Sequence, residues 1–527
     1  MAFVAQLLSN PAIPAVARQK ALDRAFSDPG LPTTNPTSSF WLRTPHPSLA
    51  KSQSPELPRE ADVVIIGSGV TGTSIARTLL TSRKLHSGSP SPSRPAVAIL
   101  EARDACSGAT GRNGGHILET GQQFAELETA HGVDAARRMI KFRLAHLGEM
   151  LRVAEEYGLD THSQARKVQF LSVHFHDEGW EEAKRWVWRL KECLPEETRE
   201  WELLEGAEIL SKLCLPHARG IIAGPAGAIW PYRFVTGILA HLKEKFPQDL
   251  VIETNTAVIG IEENSITGDN NNNNSLRYLV QTPRGPIRAR HVIHCTNAHA
   301  SHLIPGLRGR IYPVRGQMSA QHAGNKFPFQ GTEHSWIFNY ERGFDYLTQL
   351  PESESESYTG KMMMLGGGVA QVGQGGLADL GIATDSELSL YADIHLSGAL
   401  SAVFGRGNWG TVSGTSVESM WTGSMGFSAD GFPWVGRVPA SLTRRGQGEG
   451  SAGGGSEWIS AAFSGEGMVQ AWLCGKAVAT MLLSDENNLA ESESADVAWL
   501  PAEMLVTDER VQGAVLPRYA EGIPSHL

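Results

Sequence analysis

The most constraining feature of the sequence is a short apolar run that leads directly into a glycine-rich turn. Val63 to Ile66 form the apolar run, and Gly67-Ser68-Gly69-Val70-Thr71-Gly72 follows without a break. The next segment, from Thr73 to Leu85, carries apolar residues at helical spacing. A strand, a tight glycine turn and a helix in this order are typical of a dinucleotide-binding β-α-β unit. The pattern therefore predicts an α/β fold built on a parallel sheet.

Each glycine of the turn has its own mechanical role in this interpretation. Gly67 permits the tight turn, Gly69 removes the Cβ that would block a pyrophosphate, and Gly72 lets the helix approach the strand. The helix N-terminus then presents free N–H groups to the phosphates. A second apolar run, Val97 to Leu100, ends at Glu101, whose carboxylate is predicted to accept hydrogen bonds from ribose hydroxyls. An ordinary connection between a strand and a helix is the alternative interpretation.

Composition excludes several kinds of partner and site. The 527 residues contain 46 Lys and Arg against 56 Asp and Glu, a net charge of −10, which disfavours nucleic acids and anionic lipids as partners. The apolar runs are far shorter than the ~20 residues of a membrane span, so we expect a soluble protein. The five cysteines are dispersed, and the histidines lack the spacing of metal ligands. We therefore expect neither a disulfide framework nor a metal site.

The residues that follow Glu101 carry a resemblance to a known family. Residues 107–115, Ser-Gly-Ala-Thr-Gly-Arg-Asn-Gly-Gly, resemble a segment that runs past the flavin in FAD-dependent amine and amino-acid oxidases. These enzymes form the D-amino-acid oxidase and sarcosine oxidase superfamily, and the resemblance is closest to the γ-glutamylputrescine-oxidase-like branch. It continues in order through most of residues 60–485. Small residues and bare backbone suit one face of a flat isoalloxazine ring, whereas a glycine-rich loop without flavin is the alternative.

The resemblance implies FAD as cofactor and a set of residues that bind it. The backbone of Val258 is expected at the adenine end, and the helix start near Gly467 is expected to stabilise negative charge on reduced flavin. The full implied set is Gly67, Gly69, Gly72, Glu101, Ala102, Ser107, Arg112, Asn113, Gly114, Gly115, Val258, Thr296, Asp430, Gly465, Gly467 and Met468. The surroundings of Cys474 do not resemble the family's covalent-flavin context, so non-covalent FAD is expected.

The same resemblance divides the chain into two interleaved domains. We expect a Rossmann-like FAD-binding domain and a smaller, mixed-sheet substrate domain of the α+β kind. The predicted segments are an extended leader (1–59), the FAD-binding domain (60–125, 222–310 and 415–490), the substrate domain (126–221 and 311–414) and a C-terminal tail (491–527). The leader assignment depends on seven prolines within residues 27–59, and ordered structure is expected to start near Ala61.

Catalytic residues are harder to identify, because flavin oxidation of a C–N bond depends on positioning and does not require a side-chain base. His116 directly follows the Gly-Gly pair and is a candidate for contact with the ring or the substrate, with a structural histidine as the alternative. Arg315 and Arg342 are candidates for holding a substrate carboxylate. A salt-bridged surface arginine is the alternative for both.

The implied activity is oxidation of an amine or amino acid to the imine by hydride transfer to flavin N5, with O2 as acceptor and H2O2 as product. The alternatives are a flavin dehydrogenase with another acceptor, a flavin hydroxylase, and a flavin-fold protein without turnover. The C-terminal tripeptide Ser525-His526-Leu527 resembles a peroxisomal address and predicts an import receptor as partner, with the cytoplasm as the alternative location.

Overall fold

The computed structural model describes residues 2–82, 94–263, 276–352, 361–445, 455–486 and 497–519. The strands are β1 (Glu60–Ile66), β2 (Val97–Leu100), β3 (His116–Ile117), β4 (Arg166–His174), β5 (Glu202–Leu204), β6 (Gly220–Ala228), β7 (Leu250–Glu253), β8 (Gly260–Glu263), β9 (Tyr278–Gln281), β10 (Ile287–His294), β11 (Ile311–Gln321), β12 (His334–Asn339), β13 (Phe344–Gln349), β14 (Met363–Gly367), β15 (Val417–Ser428), β16 (Trp434–Arg437) and β17 (Glu457–Ala461). The helices are α1 (Ala2–Ser9), α2 (Ala15–Phe26), α3 (Val70–Thr81), α4 (Gly121–His131), α5 (Val133–Glu156), α6 (Asp177–Cys193), α7 (Ala207–Lys212), α8 (Pro231–Lys245), α9 (Ala300–Leu303), α10 (Leu390–Val403), α11 (Arg406–Trp409), α12 (Ala440–Thr443), α13 (Ala471–Glu486) and α14 (Asp508–Gly513). The predicted peroxisomal tripeptide lies outside the described residues and stays a prediction.

The first sheet is the predicted parallel α/β sheet. Strands β17, β10, β1, β2 and β7 run parallel in that spatial order, and β16 adds an antiparallel edge. Antiparallel β9 extends the sheet from β10, and β8 pairs with β9. Helix α3 packs against α13 and α8, and the buried strand residues Val63 and Ile65 belong to the same hydrophobic cluster. The predicted strand-turn-helix unit is confirmed, with the helix beginning at Val70 and ending at Thr81.

The second sheet is mixed, as predicted for a substrate domain. Its main path is β15, β11, β14, β13, β12, β4, β6 and β3, and β5 pairs with β6. Neighbours pair antiparallel except β12 and β4, which run parallel. One face is buried by α10, whose Leu396 packs in a cluster with Leu347 and Leu365 of the sheet. On the other face, α6 packs against β4 and β6, with Val187 in a cluster with Phe170 and Ile222.

Sheet pairing departs from the predicted domain segments at three strands. The segments 60–125, 222–310 and 415–490 were assigned to the FAD-binding domain, but β3, most of β6 and β15 pair within the second sheet. Strand β15 pairs with β11 over almost its whole length, and that long-range pairing leaves no local trace in the sequence. The domain boundaries themselves stay predictions.

The prediction of an extended leader, with ordered structure starting near Ala61, is wrong. Helices α1 and α2 lie within it, and their buried side chains form a cluster with Tyr312 of β11. Further along, Phe40 and Trp41 begin a short 3-10 helix and have no exposed surface. The prediction gave weight to the prolines and not to these apolar residues, whose burial favours an ordered conformation. Within the described part of the chain, no helix combines the length and apolar character needed to cross a bilayer.

Candidate functional site

A cavity of about 230 Å³ lies between the two sheets. Its walls include the residues at the carboxyl ends of β1, β2 and β10 together with residues of β11, β13 and β15. In the first sheet β1 lies between β2 and β10, so this edge is the switch point where open α/β sheets bind ligands. Eleven of the sixteen residues implied for FAD line the cavity: Gly67, Gly69, Glu101, Ala102, Arg112, Asn113, Val258, Thr296, Gly465, Gly467 and Met468.

A Cβ would collide with backbone at two of the three glycines of the turn, Gly67 and Gly72, and with the Thr110 hydroxyl, at 2.8 Å, at Gly69. Gly67 has a φ of +109°, and a Cβ there would lie 2.8 Å from the Cys295 carbonyl oxygen. A Cβ at Gly72 would lie 2.1 Å from the carbonyl oxygen of Gly67. Gly69 forms the N-cap of α3 and lacks a capping side chain, and the first helical N–H, that of Val70, donates to Thr110 Oγ1 at 3.1 Å. Thr110 also lines the cavity, and sequence analysis did not single it out.

Glu101 is held in a fixed orientation at the end of β2. Its Oε2 accepts from the Ser68 backbone N–H at 3.1 Å and from the Ser68 hydroxyl at 2.7 Å, and its Oε1 accepts from the Arg103 N–H at 3.1 Å. A carboxylate has about four acceptor positions, so capacity remains for a ligand hydroxyl. The Thr296 hydroxyl lines the same cavity and is buried without a partner among the described residues. An oriented carboxylate, an unpartnered hydroxyl and a glycine cradle fit a dinucleotide such as FAD.

Replacing Glu101 with alanine is expected to weaken FAD binding by about 1.5–3 kcal/mol, the value of a hydrogen bond to a charged acceptor. Loss of the carboxylate also releases Ser68 within the turn. The measurement is FAD affinity by titration of apoprotein, with Glu262→Ala, an exposed glutamate on β8, as the matched control. Equal FAD affinity in the two variants would show that Glu101 does not reach the ribose.

The loop of residues 107–115 is fixed from two directions. Arg112 is buried, donates through Nε to the Thr422 carbonyl at 2.5 Å, and ion-pairs with Asp385 at 3.3 Å. Asp385 also forms a bidentate pair with Arg103 at 3.0 Å. Burial lowers the pKa of Arg112 to about 10 against the opposing charge of Asp385, so the guanidinium stays protonated at neutral pH. The residues Arg103 and Asp385 line the cavity and were missed by sequence analysis, because no spacing pattern connects them.

The leader holds the same loop from its other side. Trp41 Nε1 donates to the Asn113 carbonyl at 2.5 Å, and Ser39 Oγ donates to the Gly111 carbonyl at 2.7 Å. Leu31 and Pro32 line the cavity directly. The segment predicted to be an extended leader is thus part of the wall of the site.

Five implied FAD residues lie outside the cavity lining, and their role toward FAD stays a prediction. Gly72 packs at the glycine turn as described above, and Ser107 is buried with its hydroxyl unpartnered among the described residues. A Cβ at Gly114 would lie 2.5 Å from the ring of Tyr346, and one at Gly115 would lie 2.1 Å from a backbone carbonyl. Asp430 ion-pairs with Arg510 at 2.6 Å.

The three candidate catalytic residues are not brought together at the cavity. His116 contacts Ser335 Oγ through Nε2 at 2.7 Å, and burial, reinforced by the charge of Arg166, lowers the pKa of His116 to about 3. Arg315 is ion-paired with Asp379 at 2.7 Å. Arg342 is exposed in the turn between β12 and β13. None of the three belongs to the lining as described, and their catalytic roles stay predictions.

A buried carboxyl group and a half-buried one lie near the same arginine, beside the loop that contains Gly465 and Gly467. Glu119 is 1 % exposed and pairs with Arg143 Nη1 at 3.3 Å. Burial raises the pKa of Glu119 to about 7, with Arg143 opposing this shift and the negative charge of Glu466 adding to it. Burial also raises the pKa of Glu466. Burial and the nearby Glu466 carboxylate thus favour the protonated form of Glu119 up to about neutral pH.

This arrangement predicts a pH-dependent stability that Glu119→Gln removes. Because the pKa of Glu119 is raised on folding, its contribution is complete below about pH 4.5 and is lost as the pH rises to about 7. The stability of the wild type relative to Glu119→Gln should therefore fall from pH 5 to pH 7 and then level. Thermal unfolding of both proteins across this range tests it, with the exposed Glu155→Gln as control. A difference that is constant with pH would contradict the prediction.

A family model described as FAD dependent oxidoreductase, with the short name DAO, matches residues 62–481. The chain belongs to this family. The match contains the glycine turn, Glu101, the 107–115 loop and the loop before α13, and it confirms the family expected from the sequence. FAD is the cofactor that membership implies, and the cavity described above fits it. No curated protein gives a significant sequence match.

Solved structures share the fold at low sequence identity. Glycine oxidase from Geobacillus kaustophilus superposes with a TM-score of 0.56 and 16% identity, covering 85% of this chain and 99% of its own. L-amino acid deaminase from Proteus vulgaris gives a TM-score of 0.57 and 14% identity, covering 83% and 96%. L-proline dehydrogenase from P. horikoshii gives 0.51 and 21%, covering 83% and 97%. These similarities confirm the predicted fold class of two interleaved sheets.

Proposed function

We propose that the protein oxidises a C–N single bond of an amine or amino acid to the imine. The carbon loses a hydride and the nitrogen a proton, and O2 takes up the two electrons and two protons as H2O2. FAD, when bound, supplies the hydride acceptor at N5. The protein positions the substrate carbon near flavin N5 and excludes water from the site.

The observation that supports this proposal most is that one cavity joins the dinucleotide turn to the second sheet. Gly67 and Glu101 lie at one part of its wall, whereas Met318 and Tyr346 of the second sheet lie at another. A flavin held by the turn would therefore have its ring against the second sheet. The 107–115 loop between them also supports the finer proposal of a γ-glutamylputrescine-oxidase-like branch.

We propose that FAD is held without a covalent bond. Cys474 is fully buried within α13, and its Sγ lies 3.8 Å from Met504 Sδ rather than in the cavity lining. Burial raises the pKa of this thiol, which disfavours the reactive thiolate. Acid precipitation should release all of the flavin into the supernatant, and colour retained in the pellet would contradict this.

The test of the activity is reduction of bound flavin by a panel of amines, N-methyl amino acids and amino acids under anaerobic conditions. Bleaching near 450 nm by a panel member, followed by recovery on admission of air with release of H2O2, is the expected result. Bleaching that only an artificial dye reverses would identify a dehydrogenase instead of an oxidase. Bound FAD that no panel member reduces would reject the proposal.

A further inference from the structure

A second cavity, of about 240 Å³, shares no lining residue with the FAD cavity as described and is here called the arginine pocket. Its lining includes four arginines, Arg308, Arg310, Arg444 and Arg518, together with the ring of Phe26. Among the described residues, no Asp or Glu belongs to this lining. A chain with a net charge of −10 thus concentrates positive charge at one concave site.

The arginine pocket is assembled from segments that are far apart in the sequence and meet at Gly309. The Gly309 N–H donates to the Ala25 carbonyl at 3.2 Å, and the Leu516 N–H donates to the Gly309 carbonyl at 2.8 Å. Gly309 has a φ of +76°, and a Cβ there would collide with the ring of Phe26. The end of α2, the segment before β11 and the C-terminal segment are therefore fixed against one another by backbone at the pocket.

The positive charge of the pocket is largely unbalanced. Arg308 Nη2 lies 2.7 Å from Asp28 Oδ2, whereas Arg310, Arg444 and Arg518 have no carboxylate partner within the described part of the chain. Four guanidinium charges against one carboxylate leave an excess of three positive charges. A cleft lined by one sign of charge concentrates ions of the opposite sign.

Two of the unpaired arginines are held in place by contacts that do not neutralise them. Arg310 donates through Nε and Nη2 to the Val511 carbonyl at 2.8 and 2.6 Å, and through Nη1 to the Gly306 carbonyl at 3.2 Å. Three of its five N–H donors are used in this way, so two remain for a ligand. The Arg518 guanidinium lies over the Phe26 ring, 4.9 Å from its centroid. Stacking occupies the flat face of a guanidinium and leaves its N–H edge available.

Arg444 reaches the pocket from a backbone conformation that favours glycine. It is the C-cap of α12 and has a φ of +59° and a ψ of 21°, in the left-handed region. Helices commonly end on a glycine in this conformation, because an L side chain is strained there. Glycine would end α12 without strain but would remove one guanidinium from the pocket. Strain retained at a residue that lines a cavity is typical of a functional site.

We propose that the arginine pocket binds a phosphate-type anion with two or more negative charges, either a free compound such as pyrophosphate or the terminal phosphates of a nucleotide. All four cations are arginines, whose planar N–H forks match phosphate oxygens. A single carboxylate would balance only one of the excess charges. The volume is below the ~300–1,000 Å³ of typical small-molecule pockets, so it fits phosphate groups and leaves a nucleotide base outside. This inference does not depend on the proposed C–N oxidation.

The first test is calorimetric titration of the FAD-loaded protein with pyrophosphate, ADP and citrate at constant ionic strength. The FAD-loaded form is used because FAD then occupies the glycine turn, which is the other phosphate site. Pyrophosphate or ADP should bind saturably and more tightly than citrate. Tighter binding of pyrophosphate supports a free phosphate compound, and tighter binding of ADP supports a nucleotide. Tighter binding of citrate would overturn the phosphate class, and the absence of binding by pyrophosphate and ADP at millimolar concentration would overturn the site.

The second test removes guanidinium groups that have no structural partner. In Arg444→Gly, affinity for the tighter of the two phosphate ligands should fall at least about 10-fold, the effect of one lost charge-assisted hydrogen bond. The melting temperature of the ligand-free, FAD-loaded protein should stay the same or rise, because glycine relieves the strain at this position. Arg518→Ala should weaken the same ligand to a similar extent.

The matched control for these variants is Arg406→Ala, which removes an exposed arginine of α11 that lies outside the pocket lining. It should change the affinity by less than about 2-fold, because salt screens exposed charges beyond the site. Wild-type affinity in both Arg444→Gly and Arg518→Ala would overturn the inference. An equal loss in Arg406→Ala would also overturn it, because the anion would then respond to the overall charge and not to the pocket.

Discussion

Replacement of Gly72 by alanine is expected to produce a protein that retains FAD poorly. The added methyl group would lie 2.1 Å from the Gly67 carbonyl oxygen and 3.2 Å from a methyl of Ile65. The near contact is backbone, which cannot rotate away, so α3 must move off the turn and carry its N-terminal N–H groups from the phosphates. Overpacking of this kind costs about 1–3 kcal/mol, equal to about 5- to 150-fold weaker FAD binding if the turn bears the full cost.

The matched control is Gly148→Ala, also a helical glycine-to-alanine change. A Cβ at Gly148 would meet no atom within 4 Å, so alanine should stabilise α5 by up to about 1 kcal/mol. The measurement is the ratio of flavin to protein absorbance after gel filtration, together with the melting temperature of each apoprotein. Equal flavin content in the two variants would show that the turn tolerates displacement of α3 and that the glycine spacing is incidental.

The parts of the site that the sequence predicted are those whose geometry is local. The strand, the turn and the helix are contiguous, and Glu101 follows directly from the next strand, so a short pattern determines all of them. Asp385 and Tyr346 reach the same cavity from distant segments, and no periodicity connects either to the glycine turn. The resemblance supplied the more distant Val258 and Thr296, because it carries tertiary information that spacing lacks.

The candidate arginines illustrate a different limit of prediction from the sequence. Arg315 occupies a strand that borders the cavity, as expected for a substrate-domain residue, but its guanidinium forms an ion pair with Asp379, at the end of a later 3-10 helix. Arg342 follows a strand and is exposed in a turn. A sequence shows that a charge exists, and only the fold shows whether another charge already neutralises it.

Replacement of Trp41 by alanine is expected to destabilise the protein by about 3–5 kcal/mol, the cost of emptying a buried tryptophan site. Trp41 has no exposed surface, and its ring centroid lies 5.1 Å from that of Trp230 in an edge-on arrangement. Its Nε1–H is also the donor to the Asn113 carbonyl, which would be left unpaired beside the cavity. The variant should therefore lose FAD more readily as well as unfold more easily.

The control for this prediction is Trp188→Ala, since Trp188 is 61% exposed on α6 and its loss should change stability by no more than about 0.5 kcal/mol. Urea unfolding of both apoproteins, followed by tryptophan fluorescence, gives the comparison, and FAD titration gives the second readout. If the Trp41→Ala protein were as stable as the Trp188→Ala protein, the packing of Trp41 would contribute little to the free energy of unfolding. A large loss of stability with unchanged FAD affinity would separate the two roles, placing Trp41 in the core but not in support of the Asn113 loop. We expect losses of both stability and FAD affinity, because the Trp41 side chain is packed in the hydrophobic core and also donates a hydrogen bond to the loop that lines the cofactor cavity.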